Sequence, residues 1–136
     1  MIVVDSSVWI DFLSEKITPQ TAALRRAQRK LQPIGILDLV LTEVLQGTRN
    51  DVEFSKARRL FAQYSFVPVV DARSAVQAAR HYRVLRSLGV TVRKTIDTLI
   101  ATRCVLDGLP LLYADRDFDP FVQHLGLRSA LDLLPE

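Results

Sequence analysis

The apolar positions of this chain fall into short β-branched runs separated by stretches with helical spacing. The first run, Ile2-Val3-Val4, stops at Asp5. Ile and Val suit a pleated, buried strand, and an unbroken apolar run between polar residues is how a parallel central strand reads. Val8, Trp9, Phe12 and Leu13 then recur at helical spacing, which predicts a helix over about residues 6–14 capped by Ser6 or Ser7. Asp5 thereby lies at the carboxyl end of a core strand, where open α/β sheets put their ligand crevices.

Thr18-Pro19 opens a second helix, a hydroxyl cap followed by proline in the first turn, running to about Leu31. Pro33 to Ile36 reads as a short strand. Asp38 is expected to cap a third helix, with Leu41, Val44 and Leu45 as its inward stripe and Gly47 at its end. Asn50-Asp51 marks a turn and cap before a helix over about 52–64, and residues 66–70 are the next extended piece. Asp71 or Ser74 starts a long helix to about Leu88, closed by Gly89. Thr95 is expected to cap the helix from Ile96 to about Asp107, which Gly108-Leu109-Pro110 breaks. Leu111-Leu112-Tyr113 is a buried-type strand. A short helix from Phe121 to Leu125 and a last strand near Leu127-Arg128 complete the chain. The alternation predicts an α/β fold with a mainly parallel central sheet, helices on both faces, and a single domain over residues 1–136.

Composition narrows the class. Of the 136 residues 49% are hydrophobic and 24% charged, which argues for a folded globule with one core. Asp or Arg interrupts the apolar runs well short of a membrane span, and the amino terminus lacks a basic leader pattern, so a soluble cytoplasmic protein is expected. The single cysteine, Cys104, rules out an internal disulfide framework. A net charge of +3 permits nucleic-acid binding without demanding it.

Four carboxylates stand apart from the rest. Asp5 ends the first strand, and Glu43 sits between Leu41 and Val44-Leu45. Asp97 is in a first turn beside Ile96, Leu99 and Ile100, and Asp115 follows the strand Leu111–Tyr113. Each has a plain structural reading: Asp5 as a helix cap, Asp97 favouring a positive helix end, Asp115 opening a turn, Glu43 facing solvent. Together they say more, because acids this close to core-facing residues are costly to bury without a cation or hydrogen bonds. Asp and Glu with no accompanying His or Cys cluster suit a hard, oxygen-preferring ion, Mg2+ or Mn2+. Such an ion leaves positions for phosphate oxygens, so the expected reaction is metal-assisted hydrolysis of a nucleic-acid backbone. His81 and His124 have no zinc-ligand spacing with Cys104, and Trp9 and Cys104 read as core.

These residues carry a resemblance. The opening Val4-Asp5-Ser6-Ser7-Val8-Trp9-Ile10-Asp11-Phe12, Glu43 with Gly47 after it, Asp97-Thr98-Leu99-Ile100-Ala101, and Leu112-Tyr113-Ala114-Asp115-Arg116-Asp117-Phe118 resemble, in order and spacing, the PIN-domain ribonucleases of the VapC toxin type. The resemblance implies a Mg2+-dependent endoribonuclease toxin with Asp5, Glu43, Asp97 and Asp115 as catalytic acids. It implies Asp5, Asp97 and Asp115 as metal ligands, Glu43 orienting or deprotonating the attacking water, Ser6 supporting by hydrogen bonding, and Asp117 as an outer ligand. It also implies an RNA substrate, a cognate VapB-type antitoxin, a homodimer and a toxin–antitoxin hetero-oligomer. Tyr113 departs from the small polar residue usual at its position, which bears on the hydrogen bonds supporting the site.

Arg93, Lys94 and Arg116 are the cations placed to meet an RNA backbone beside the acids. Two other readings compete with the nuclease. A phosphotransfer domain with a nucleophilic Asp5 would want a second acid two residues later, where Ser7 stands. A catalytically silent PIN-like module that binds RNA or protein would be expected to lack part of the quartet.

Overall fold

A computed structural model describes residues 1–134. Four strands form one parallel sheet in the order β3-β2-β1-β4, where β1 is Ile2–Val4, β2 Ile34–Leu37, β3 Ser65–Val67 and β4 Leu111–Leu112. Parallel neighbours need long crossovers, and helices supply them. Helices α1 (Ser6–Leu13) and α2 (Pro19–Arg29) join β1 to β2, α3 (Asp38–Gln46) and α4 (Asp51–Phe61) join β2 to β3, and α5 (Ala72–Ser87) and α6 (Thr95–Asp107) return to β4. A 3-10 turn (Arg116–Phe118), α7 (Asp119–Leu125) and α8 (Ala130–Leu133) follow.

Every residue of β1 and β2 is buried. Successive side chains on a strand point to opposite sides, so both faces of the central sheet are covered. Gly35 is required by this crowding: a Cβ there would stand 2.9 Å from Val67 Cγ2 and 3.2 Å from Val3 Cγ1. Trp9 anchors the core, fully buried, edge-on to Phe61 at 5.0 Å between centroids and to Phe12 at 5.7 Å. Cys104 is buried too, so both residues are core as expected.

The local signals decide most boundaries. Thr18 caps α2 with a reciprocal bond to Thr21 and Pro19 in the first turn, Asn50 caps α4, and Asp71 caps α5 in a reciprocal pair with Ser74. Several expectations need correction. Helix α1 is capped by Asp5 rather than by a serine, since the Asp5 carboxylate accepts from the Ser7 amide. Asp38 is the first residue of α3; its Oδ1 accepts from the amides of Leu39 and Val69, which ties the helix start to the chain after β3. Thr95 does not cap α6, which begins at Thr95 after Lys94 with no side-chain cap. Helix α2 stops at Arg29, because Leu31 adopts a left-handed backbone (φ 53°) that no helix continues. Helix α4 ends at Phe61 and β3 spans 65–67, earlier than the run 66–70 suggests. The buried residues of α3 are Val40 and Val44, with Leu41 and Leu45 only partly buried. No strand forms at Leu127-Arg128; a single bridge joins Ser129 to Leu111, and α8 follows it.

The order of the sheet places the site. The chain steps from β1 outward through β2 to β3, then returns to add β4 on the other side of β1. The connection direction reverses between β1 and β4, and in such sheets ligands bind beyond the carboxyl ends of the strands flanking that reversal.

Candidate metal centre

At that rim the carboxyl ends of β1 and β4 are stitched together. The Asp5 amide continues the ladder to Leu112 O at 2.9 Å. Ser7 then acts as a hinge pin: its hydroxyl donates to Asp5 Oδ2 at 2.6 Å and accepts from the Ala114 amide at 3.2 Å. One oxygen therefore fixes the Asp5 carboxylate and the backbone just before Asp115. Ser6 faces the other way and donates to Glu43 Oε1 at 3.3 Å, which joins α1 to α3 across the same rim.

Asp97 enters from the first turn of α6. Its side chain is 5% exposed, and its Oδ2 is buried without a hydrogen-bond partner among the described residues. An oxygen of Asp97 lies within 4.8 Å of one from Asp115 and one from Asp117, and those two lie equally close to each other. Asp115 Oδ1 accepts from the Asp117 amide at 2.9 Å, and Lys94 Nζ stands 4.0 Å from Asp115 Oδ2.

The electrostatics match this crowding. Burial, with the Asp5 charge and then those of Asp115 and Glu43 added, pushes the Asp97 carboxyl up to about 7 against an opposing pull from Lys94. Burial also raises Asp5, with Asp115 adding to it, while the Ser7 and Ser6 bonds hold it down. Glu43 is raised by burial and by Asp5, and lowered by Ser6 and Lys94. Each acid works against its neighbours. A buried carboxylate oxygen left unpaired is costly in a folded protein, and a cation among these oxygens would offset both that cost and the mutual repulsion. The donors are all carboxylate oxygens, which fits Mg2+ or Mn2+ and not a nitrogen- or sulfur-preferring ion. The residues present fit the ion.

Of the expected site residues, Asp97 and Asp115 meet directly in this cluster, and Asp5 and Glu43 border it through their charges. Asp117 joins Asp97 and Asp115 in this cluster. Lys94 is beside the acids, whereas Arg93 and Arg116 are exposed and make no ion pair among the described residues. Tyr113 donates to Asp119 Oδ1 at 2.8 Å rather than to any of the four acids. Burial and that bond push its hydroxyl pKa upward. His81 and His124 stay out of the site; the His81 ring bonds Thr102 and Gln77. The residue that sequence reasoning missed is Ser7. Its signal was its place two residues after a strand-end aspartate, the position from which a hydroxyl reaches back to the carboxylate.

The chain is similar over almost its whole length to characterised proteins. A VapC ribonuclease of Mycobacterium bovis and ribonuclease VapC11 of Mycobacterium tuberculosis are each 28% identical to it over 131 residues, covering 96% of this chain and 98% of the relative. Among solved structures, VapBC2 from Rickettsia felis bound to a promoter DNA fragment superposes with a TM-score of 0.74, and a toxin–antitoxin complex from Klebsiella pneumoniae with 0.67. Both are 16% identical and cover 95% of this chain and 97% of the matched one, a likeness of fold. The sheet order, the strand-end acids and a match of residues 2–121 to the PIN domain pattern agree, and on them the chain belongs to the PIN domain family.

Proposed function

We propose that this chain is a metal-dependent endoribonuclease, the toxin of a toxin–antitoxin pair, and that residues 1–136 act as one PIN domain. The observation that carries this reading is the unpartnered, buried Oδ2 of Asp97 among the oxygens of Asp115 and Asp117. Ribonuclease relatives that run nearly the full length of the chain support the choice of RNA over other phosphodiesters.

Asp5, Asp97 and Asp115 would hold Mg2+ or Mn2+, with Asp117 alongside. When bound, the ion supplies an activated water and stabilises charge on the phosphate in an in-line displacement. Glu43 is the base: Ser6 holds its Oε1, which leaves Oε2 to take the proton as the water oxygen attacks phosphorus and the bond to the leaving ribose oxygen breaks. A carboxyl raised by burial accepts that proton more readily than an ordinary surface glutamate. Lys94 offsets repulsion between the acids and the RNA backbone, and Arg93 and Arg116 extend that role outward. Ser7 keeps Asp5 and Asp115 in register.

The toxin–antitoxin titles of the structural neighbours support an antitoxin of the VapB type as partner in a hetero-oligomer; a homodimer of this chain is part of the same proposal. No helix among the described residues is long and apolar enough to cross a membrane, and the cytoplasm is the compartment we assign. The quartet is complete, so nothing favours the silent binding module. The test is cleavage of end-labelled total RNA by antitoxin-free protein in Mg2+, Mn2+ or EDTA, beside Asp5→Asn and Asp97→Asn. Discrete cuts that need metal and vanish in both variants are expected; cuts that survive EDTA and both substitutions would overturn the mechanism.

A further inference from the structure

Residues on either side of Asp115 in the chain line a cavity of about 420 Å³ that the chemistry above does not use. Tyr113, Ala114 and Arg116, the immediate neighbours of Asp115, line it on one side. Gln20 from the start of α2 and Gln123 and Asp119 from α7 line the others. Among the described residues, neither the Gln20 nor the Gln123 amide has a partner, the Arg116 guanidinium makes no ion pair, and Asp119 uses only Oδ1, in its bond from Tyr113. Two amides that both donate and accept, the carboxylates of Asp119 and Asp132 and an aromatic side chain thus line one space.

From this geometry we infer that the cavity is a nucleobase subsite, which takes the base of a nucleotide flanking the scissile phosphate and sets where the RNA is cut. The inference rests on the ribonuclease reading. Single-stranded RNA presents unpaired bases whose edges carry donors and acceptors side by side, and proteins read them by stacking on aromatic rings and by hydrogen bonds to those edges. Amide side chains meet that mixed edge, and Asp119, held by Tyr113, accepts from a base amino or imino group. The volume holds a base with room for its sugar. Arg116 follows Asp115 directly and lines the cavity, so its guanidinium can meet the phosphate that connects the two. The Ala114 amide bond to Ser7 makes the cavity wall and the acid cluster one rigid piece, so a seated base fixes the register of the phosphate.

The experiment maps cleavage sites of the full chain in Mg2+ for wild type, Gln20→Ala, Gln123→Ala and Gln20→Glu. It also measures the anisotropy of a labelled single-stranded oligonucleotide series, varied at one position, on the cleavage-dead Asp97→Asn background. Expected are a base preference at one flanking position in wild type, its loss in the alanine variants, and about tenfold weaker binding of the preferred oligonucleotide only. Gln20→Glu, which exchanges a donor for an acceptor, is expected to change the preferred base rather than erase it. Wild-type cleavage with the same sites and affinities in all three variants would overturn the subsite and leave the nuclease standing. An absence of metal-dependent cleavage in wild type would remove the nuclease itself. Variants that spare RNA but weaken antitoxin binding would give the cavity to a protein partner and overturn the inference.

Discussion

Without its cation the metal centre should destabilise the protein, and Asp97 carries most of that burden. Its carboxyl is raised from 3.8 to about 7, so between those values the folded chain keeps a proton that the unfolded chain has released. Raising the pH through this window therefore favours unfolding, and the penalty is complete above about 7. Its size is at most about 4 kcal/mol from the displacement of that one group, which for a chain of this length lowers the melting temperature by on the order of 10 °C. His81 works in the opposite sense. Burial lowers it from 6.5, so the folded state gains stability as pH rises toward that value. Comparing wild type with Asp97→Asn cancels the histidine. In EDTA the variant should melt above wild type by a margin that widens from pH 4.5 to 7.5. Added Mg2+ should close the gap by stabilising wild type alone, since an ion that binds only the folded state raises its stability by mass action. A margin that stays flat with pH, or a variant less stable than wild type at pH 7.5, would refute the claim that the acids hold one another under strain.

Other substitutions probe the supports. Ser7→Ala removes the pin between Asp5 and Ala114; a loss of about 1–2 kcal/mol in denaturant unfolding is expected, with weaker Mg2+ binding by calorimetry. Lys94→Ala should tighten Mg2+ binding in the absence of RNA, since a competing charge is gone, yet lower RNA affinity and reduce the slope of log K against log salt by about 0.7. Tyr113→Phe deletes only the bond to Asp119 and should cost about 1 kcal/mol without changing metal affinity. Arg103→Ala strands the buried Val69 carbonyl and frees the exposed carboxylates of Asp71 and Asp107, and a loss of about 1–2 kcal/mol is expected in thermal unfolding.

The four strands that form and the caps at Thr18, Asn50 and Asp71 could be read from the chain, because each is announced by residues within a few positions of one another. What stayed hidden depends on partners far apart. Ser7 looked like a helix-capping serine, and only the approach of Ala114 shows what else it holds. Arg103 is singled out by no local pattern, yet it is 9% exposed and grips the carbonyl of Val69 and the Asp71 carboxylate. Asp38 looked like a cap until Val69 supplied its second donor. The missed α8 follows from a bridge to Leu111 that no local pattern encodes. Asp5 and Asp97 drew attention because a carboxylate among core residues is costly to bury, and both are buried.

The pairing of β1 with β4 also has a consequence in time. Ser7 and Ala114 are separated by 107 positions, and the sheet edge that receives β4 is made when synthesis has barely begun. Ribosomes add about 5–20 residues per second and domains fold as units once their parts are available. The first three strands and their helices can thus assemble on the ribosome while Asp115 and Asp117 are still unmade. The acids that face Asp97 are therefore the last part of the cluster to exist, and the site is completed only with the final strand and the turn after it.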